Sequence, residues 1–98
     1  MTRADALNIV KELEDRFSSD PIPRQSDSAI QFFTAKANQL QRAIDFNLET
    51  SAMLNWATKF YSARKWEVWG DSAIRSIMHQ AIDCVRKRVE RAPDRVFS

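Results

Sequence analysis

Apolar residues recur at intervals of three and four along four stretches of the chain, with polar residues on the opposite side of each stripe. The first stripe is Ala6, Ile9, Val10, Leu13 and Phe17, with Lys11, Glu12, Glu14 and Asp15 off it. Thr2 and Asp5 supply a hydroxyl and an acid for the free amides of a helix start. A helix over about 3–18 is predicted. Residues 18–26, SSDPIPRQS, hold two of the three prolines, each of which biases its predecessor away from helix. They read as a short stiff loop, with Pro-Ile-Pro as a candidate extended docking segment.

The second stripe, Ile30, Phe33, Ala37, Leu40 and Ile44, predicts a helix over about 27–46, opened by Ser28 and Gln31 in capping-box spacing. Phe32, Ala43 and Phe46 widen the stripe, so this helix is expected to touch more than one neighbour. No glycine or proline lies between Arg24 and Trp69. Asn47, with Thr50 and Ser51, offers the cap chemistry for a break. Without it, residues 27–66 would form a rod of about 60 Å, whose apolar surface only a dimer would cover. A third helix, about 50–66, then carries Met53, Trp56, Ala57, Phe60 and Ala63 inward. Glu67 to Gly70 form a turn in which Gly70 is free to be left-handed, and Asp71 caps a fourth helix, about 71–91. Its stripe is Ile74, Ile77, Met78, Ala81, Val85 and Val89. Pro93 ends it, and Val96 and Phe97 are expected to fold back onto the bundle. Asp27-Ser28-Ala29-Ile30 recurs as Asp71-Ser72-Ala73-Ile74, which suggests two stacked hairpins or simply shared capping physics.

The 98 residues suit a single domain, 1–98, and scarce glycine and proline favour helix over sheet. The expected fold is all-α, a compact four-helix bundle built as two helical hairpins, monomeric or homodimeric. Its expected core is Val10, Leu13, Phe17, Ile30, Phe33, Leu40, Ile44, Trp56, Phe60, Ile74, Ile77, Ala81 and Val85. The start mixes acids and bases with no apolar signal region, and no apolar run nears the roughly 18 residues of a membrane span. A cytoplasmic protein is expected. Cys84 is the only cysteine and reads as a small core residue.

Chemistry is thinly signalled. Ser76, His79 and Asp83 share one helical face, but three side chains in a row on one helix lack a cleft and an oxyanion site. His79–Asp83 and Asp83–Lys87 read better as i, i+4 surface pairs. Arg75 and His79 also resemble the Arg…His signature of the helical HEPN ribonucleases, small α bundles in which such a pair would be essential. Here the spacing is shorter than that family's pattern and the polar residue after the arginine is only Ser76, so membership is not assigned. A zinc site wants four Cys, His or carboxylate ligands, so one histidine and one cysteine support it poorly, and phosphate loops and nucleophile elbows are missing. No metal, no cofactor and no enzymatic activity are expected.

Two features stand above this background. Trp56, Phe60, Tyr61, Trp66 and Trp69 fall within fourteen residues, with Trp66 and Trp69 where the helical pattern fails. Near the C-terminus Arg86, Lys87, Arg88, Arg91 and Arg95 outnumber Glu90 and Asp94, although the net charge of the whole chain is only +2. Cations at a helix C-terminus are explained by its dipole alone. The expected function is a small non-enzymatic interaction module (adaptor, accessory subunit or inhibitor) that binds a larger protein through Trp66, Trp69, Arg64 and Lys65. The alternative is an RNA- or DNA-binding small subunit of a ribonucleoprotein, using Arg75, Arg86, Lys87, Arg88 and Arg91. A small helical nuclease built on Arg75 and His79 is the remaining reading.

Overall fold

In the computed structural model Thr2 and Asp5 close a reciprocal capping box. The Asp5 amide donates to Thr2 Oγ1 and the Thr2 amide to Asp5 Oδ2, each at 3.1 Å. The bond from the Thr2 amide holds the Asp5 carboxyl below its ordinary value. This box starts α1 (Arg3–Phe17), followed by α2 (Asp27–Ala43), α3 (Leu48–Ser62), the single turn α4 (Trp66–Trp69), α5 (Asp71–Arg91) and a 3₁₀ turn at Asp94–Val96. The structure describes residues 1–17, 27–64 and 66–97, with Trp66, Glu67 and Asp71 described in their backbone only. The 18–26 connector therefore lies outside the described residues.

The break between α2 and α3 falls where cap chemistry predicts. Asn47 takes extended backbone and its side-chain oxygen accepts the Thr50 amide at 3.0 Å. α2 and α3 are thus two helices, although α2 stops at Ala43 and α3 runs from Leu48 to Ser62 instead of 50–66. Ser28 lies inside the first turn of α2 and is not its cap. At the far end of α3, Arg64 has φ 55°, the left-handed position that glycine usually fills. Its guanidinium pairs with the Asp27 carboxylate at the start of α2.

Residues 66–69 form a helical turn, not the irregular turn the failed pattern suggested. Gly70 has φ 88° and ψ 173°, positive in φ but outside the left-handed helical region. It is itself the N-cap of α5, so Asp71 is the first helical residue instead of the cap.

α5 packs on α1 and α3, and α2 closes the ring by packing on the same two helices. The result is a four-helix bundle of two hairpins, α1–α2 and α3–α5, with α4 lying on α5. Its extents, 41 × 23 × 18 Å, exclude the 60 Å rod. At one end of the core Phe17, Phe33 and Tyr61 meet edge to face, with centroids 5.7, 5.7 and 6.2 Å apart. Such pairs add roughly 0.5–1.5 kcal/mol each beyond burial, and these three tie α1, α2 and α3 together.

The core corrects the predicted register of α3. Its buried residues are Thr50, Leu54, Ala57 and Tyr61, a 4-3-4 seam. Trp56 is 48% exposed and Phe60 only partly buried. The reason is angular: at about 100° per residue, a seam that turns Leu54 and Tyr61 inward leaves Trp56 on the flank. Tyr61 belongs inside because its ring completes the aromatic trio. In α2, similarly, Ala29 occupies the seam and Ile30 is only partly buried. The repeated DSAI segments consequently pack differently, Ala29 being buried in α2 and Ile74 in α5, which argues against a structural repeat; both begin a helix with Asp as its first residue.

The tail folds back as expected. Ile44 and Phe97 form an antiparallel bridge, and the Asp45 amide donates to the Val96 carbonyl at 3.3 Å. Arg3 locks this end: its guanidinium donates to the carbonyls of Glu90 (2.9 Å) and Ala92 (2.6 Å), pairs with Asp94 (2.6 Å), and lies 5.0 Å over the Phe97 ring. The last carbonyls of α5 are thereby satisfied by a residue from the other end of the chain. Among the described residues, no helix is long and apolar enough to cross a membrane.

Candidate functional site

The register of α3 that buries Leu54 and Tyr61 turns Trp56 and Phe60 toward α5. There they meet Ala73 and Ile77, one helical turn apart on that helix, and Trp69 from α4. Together these residues line an open groove of about 420 Å³. Trp56 packs at a tilt on Phe60, with centroids 6.2 Å apart. Trp69 is 67% exposed and its neighbour Val68 81%. A single helical turn offers too little length to bury both its apolar residues and the face behind them, so α4 presents apolar side chains to water. Lys59, on the exposed side of α3 between Trp56 and Phe60 in sequence, makes no ion pair among the described residues.

Of the residues expected to bind a partner, Trp69 lines this groove, whereas Arg64 is drawn to Asp27. Lys65 lies outside the described residues, as does the side chain of Trp66. Hydrophobicity alone places Trp56 and Phe60 in the core, whereas they are walls of the groove. The missed signal was Tyr61: had its ring been placed inward, Trp56 would have followed onto the flank.

The basic cluster divides. Arg86 reaches Glu14 on α1 at 3.2 Å and Glu90 at 3.8 Å, and also pairs with Asp83. Lys87 pairs with Asp83 at 3.0 Å. The Lys87 hydrogen bond, aided by the Arg86 charge, holds the Asp83 carboxyl below its ordinary value. Arg75 is half-buried and engaged within the fold. Arg88 and Arg91 make no ion pair among the described residues, and Arg88 Nε is buried without a hydrogen-bond partner.

The Ser76, His79, Asp83 face holds no relay. His79 Nε2 donates to the Phe17 carbonyl at 2.6 Å, which caps the end of α1, so the expected His79–Asp83 pair is replaced by a tertiary contact. Ser76 Oγ accepts from Gln80 at 2.9 Å. Cys84 is half-buried instead of a core residue, its Sγ 3.8 Å from Thr50 Oγ1. Among the described residues, no three His, Cys, Asp or Glu side chains gather where a metal ion could bind.

Comparison with protein-family models, with curated proteins and with solved structures finds no match to this chain.

Proposed function

We propose that the chain is a non-enzymatic helical interaction module, an adaptor, accessory subunit or inhibitor, that docks on a larger protein through the α3–α5 groove. The observation that carries this reading is that two tryptophans from separate helices, Trp56 and Trp69, line one groove while 48% and 67% exposed. Tryptophan is enriched among residues that dominate binding energy, because a large flat ring fills a partner's pocket at little entropic cost.

Nucleic-acid binding draws less support. Arg86 and Lys87 already sit among carboxylates, so fewer cations remain for phosphates than the sequence suggests. A nuclease draws less still, since His79 spends its Nε2 on the Phe17 carbonyl.

The test is affinity capture with wild-type and Trp69→Ala baits, followed by titration of the purified partner. Trp69→Ala is expected to lower affinity about 30-fold or more, the equivalent of a 2 kcal/mol hot spot, with unchanged helicity. Equal affinity of the two baits for that partner would refute the reading.

A further inference from the structure

Two of the cationic residues that make no ion pair among the described residues, Arg88 and Arg91, line a second site. Arg88 and Arg91 on α5, with Lys87 beside them, line a cleft of about 270 Å³ whose other wall is Asn47, Glu49 and Thr50 at the start of α3. The usual reason for arginines in the last turns of a helix is to satisfy its carbonyls, but here Arg3 already does so at Glu90 and Ala92. Arg88 and Arg91 thus sit in the last turns of α5 with no carboxylate partner among the described residues and face the cleft. Arg88 lines the cleft, and its Nε is buried with no hydrogen-bond partner among the described residues, an unmet donor on a residue that faces the cleft.

The facing wall adds to this field. Asn47 takes the Thr50 amide, while the amides of Leu48 and Glu49 bond to no described residue. Among the described residues Glu49 is the only carboxylate lining the cleft, and it pairs with neither arginine. Lys87 shares its charge with Asp83, so the two arginines dominate. We propose that this cleft binds a small phosphate-bearing ligand, its oxygens held by the Arg88 and Arg91 guanidinium groups against the first turn of α3. Planar guanidinium forks match phosphate geometry. The site is independent of the apolar groove, none of whose lining residues it shares.

The experiment is a titration of the full chain with inorganic phosphate at constant ionic strength, set by sodium chloride and followed by ¹H–¹⁵N NMR. The Arg88 Nε–H and the amides of Leu48 and Glu49 are expected to shift saturably. Arg88→Gln and Arg91→Gln should each weaken binding about tenfold or more. Glu49→Gln, which removes the carboxylate from the cleft wall, should tighten it. Lys11→Gln, an exposed cation on α1, should change nothing. Shifts that stay linear, or that chloride alone reproduces, would overturn the proposal, as would wild-type affinity in Arg91→Gln, whose exposed side chain can be replaced without disturbing the core.

Discussion

Leu54 and Trp56 stand two positions apart on α3 and meet opposite fates, so truncating each to alanine reads the register of the helix directly. Leu54 is fully buried in the core, and its truncation removes three carbons and leaves a cavity between helices. Such substitutions cost about 2–5 kcal/mol. Trp56 is the larger side chain, but it is 48% exposed and its inner edge rests chiefly on Phe60 and the groove wall. Removing it opens space to water and leaves no sealed cavity, so the cost is about 1 kcal/mol, at most half that of Leu54→Ala. Hydrophobicity alone predicts the reverse order. The assay is urea unfolding followed by circular dichroism at 222 nm, because fluorescence would be biased by loss of an indole. With a urea slope of about 1–3 kcal/mol per molar, 1 kcal/mol moves the unfolding midpoint by roughly 0.3–1 M, so the two variants separate cleanly. If Trp56→Ala destabilises as much as Leu54→Ala with an unchanged denaturant slope, the register is wrong and Trp56 belongs to the core.

Three further predictions concern the ends and the core. Arg3→Ala should cost about 1–3 kcal/mol in the same urea assay, because it strands the last carbonyls of α5, and Arg3→Lys should recover only part, lacking the fork. Asn47→Ala should cost about 1 kcal/mol through loss of the α3 cap, whereas Asn47→Gly should cost a few tenths. Burial pushes the Tyr61 phenol up to about 12 from its ordinary 10, against a smaller opposing effect of Arg16. The unfolded chain therefore ionises first in alkali, and stability that is complete below pH 10 should fall by about 2–3 kcal/mol as the pH rises toward 12. A Tyr61→Phe variant should lack that decline between pH 10 and 12; an equal decline would show that another group causes it.

Much of the fold was legible because it rests on local rules. The Thr2–Asp5 box, the Asn47 cap, the stripe of α5 and the stop at Pro93 each follow from a few neighbouring residues, and all appear where those residues put them. What escaped depends on contacts between distant parts of the chain. The rotation of α3 is decided by Tyr61 meeting Phe17 and Phe33, which periodicity within α3 cannot reveal when Met53, Trp56 and Phe60 offer a rival stripe. Arg3 binding the end of α5, and His79 the end of α1, join residues more than sixty positions apart. The same limit applies to the candidate sites. Trp69 was recognisable because it interrupts a helical pattern, but its groove partners Trp56 and Phe60 looked like core. The basic run of α5 was visible as composition, and only the ion pairs show that Arg86 is neutralised by Glu14, Asp83 and Glu90 while Arg88 and Arg91 are left facing a cleft.

The proposed docking surface requires above all that a tryptophan stand in solvent on a folded chain. The most direct measurement is acrylamide quenching of a variant that keeps Trp69 alone, with Trp56 and Trp66 replaced by phenylalanine and helicity verified by circular dichroism. Trp69 should be quenched nearly as readily in the folded chain as in urea, as its 67% exposure demands. A folded variant whose Trp69 emission is blue-shifted and shielded from acrylamide would contradict the account, because the groove would then be closed by the chain itself.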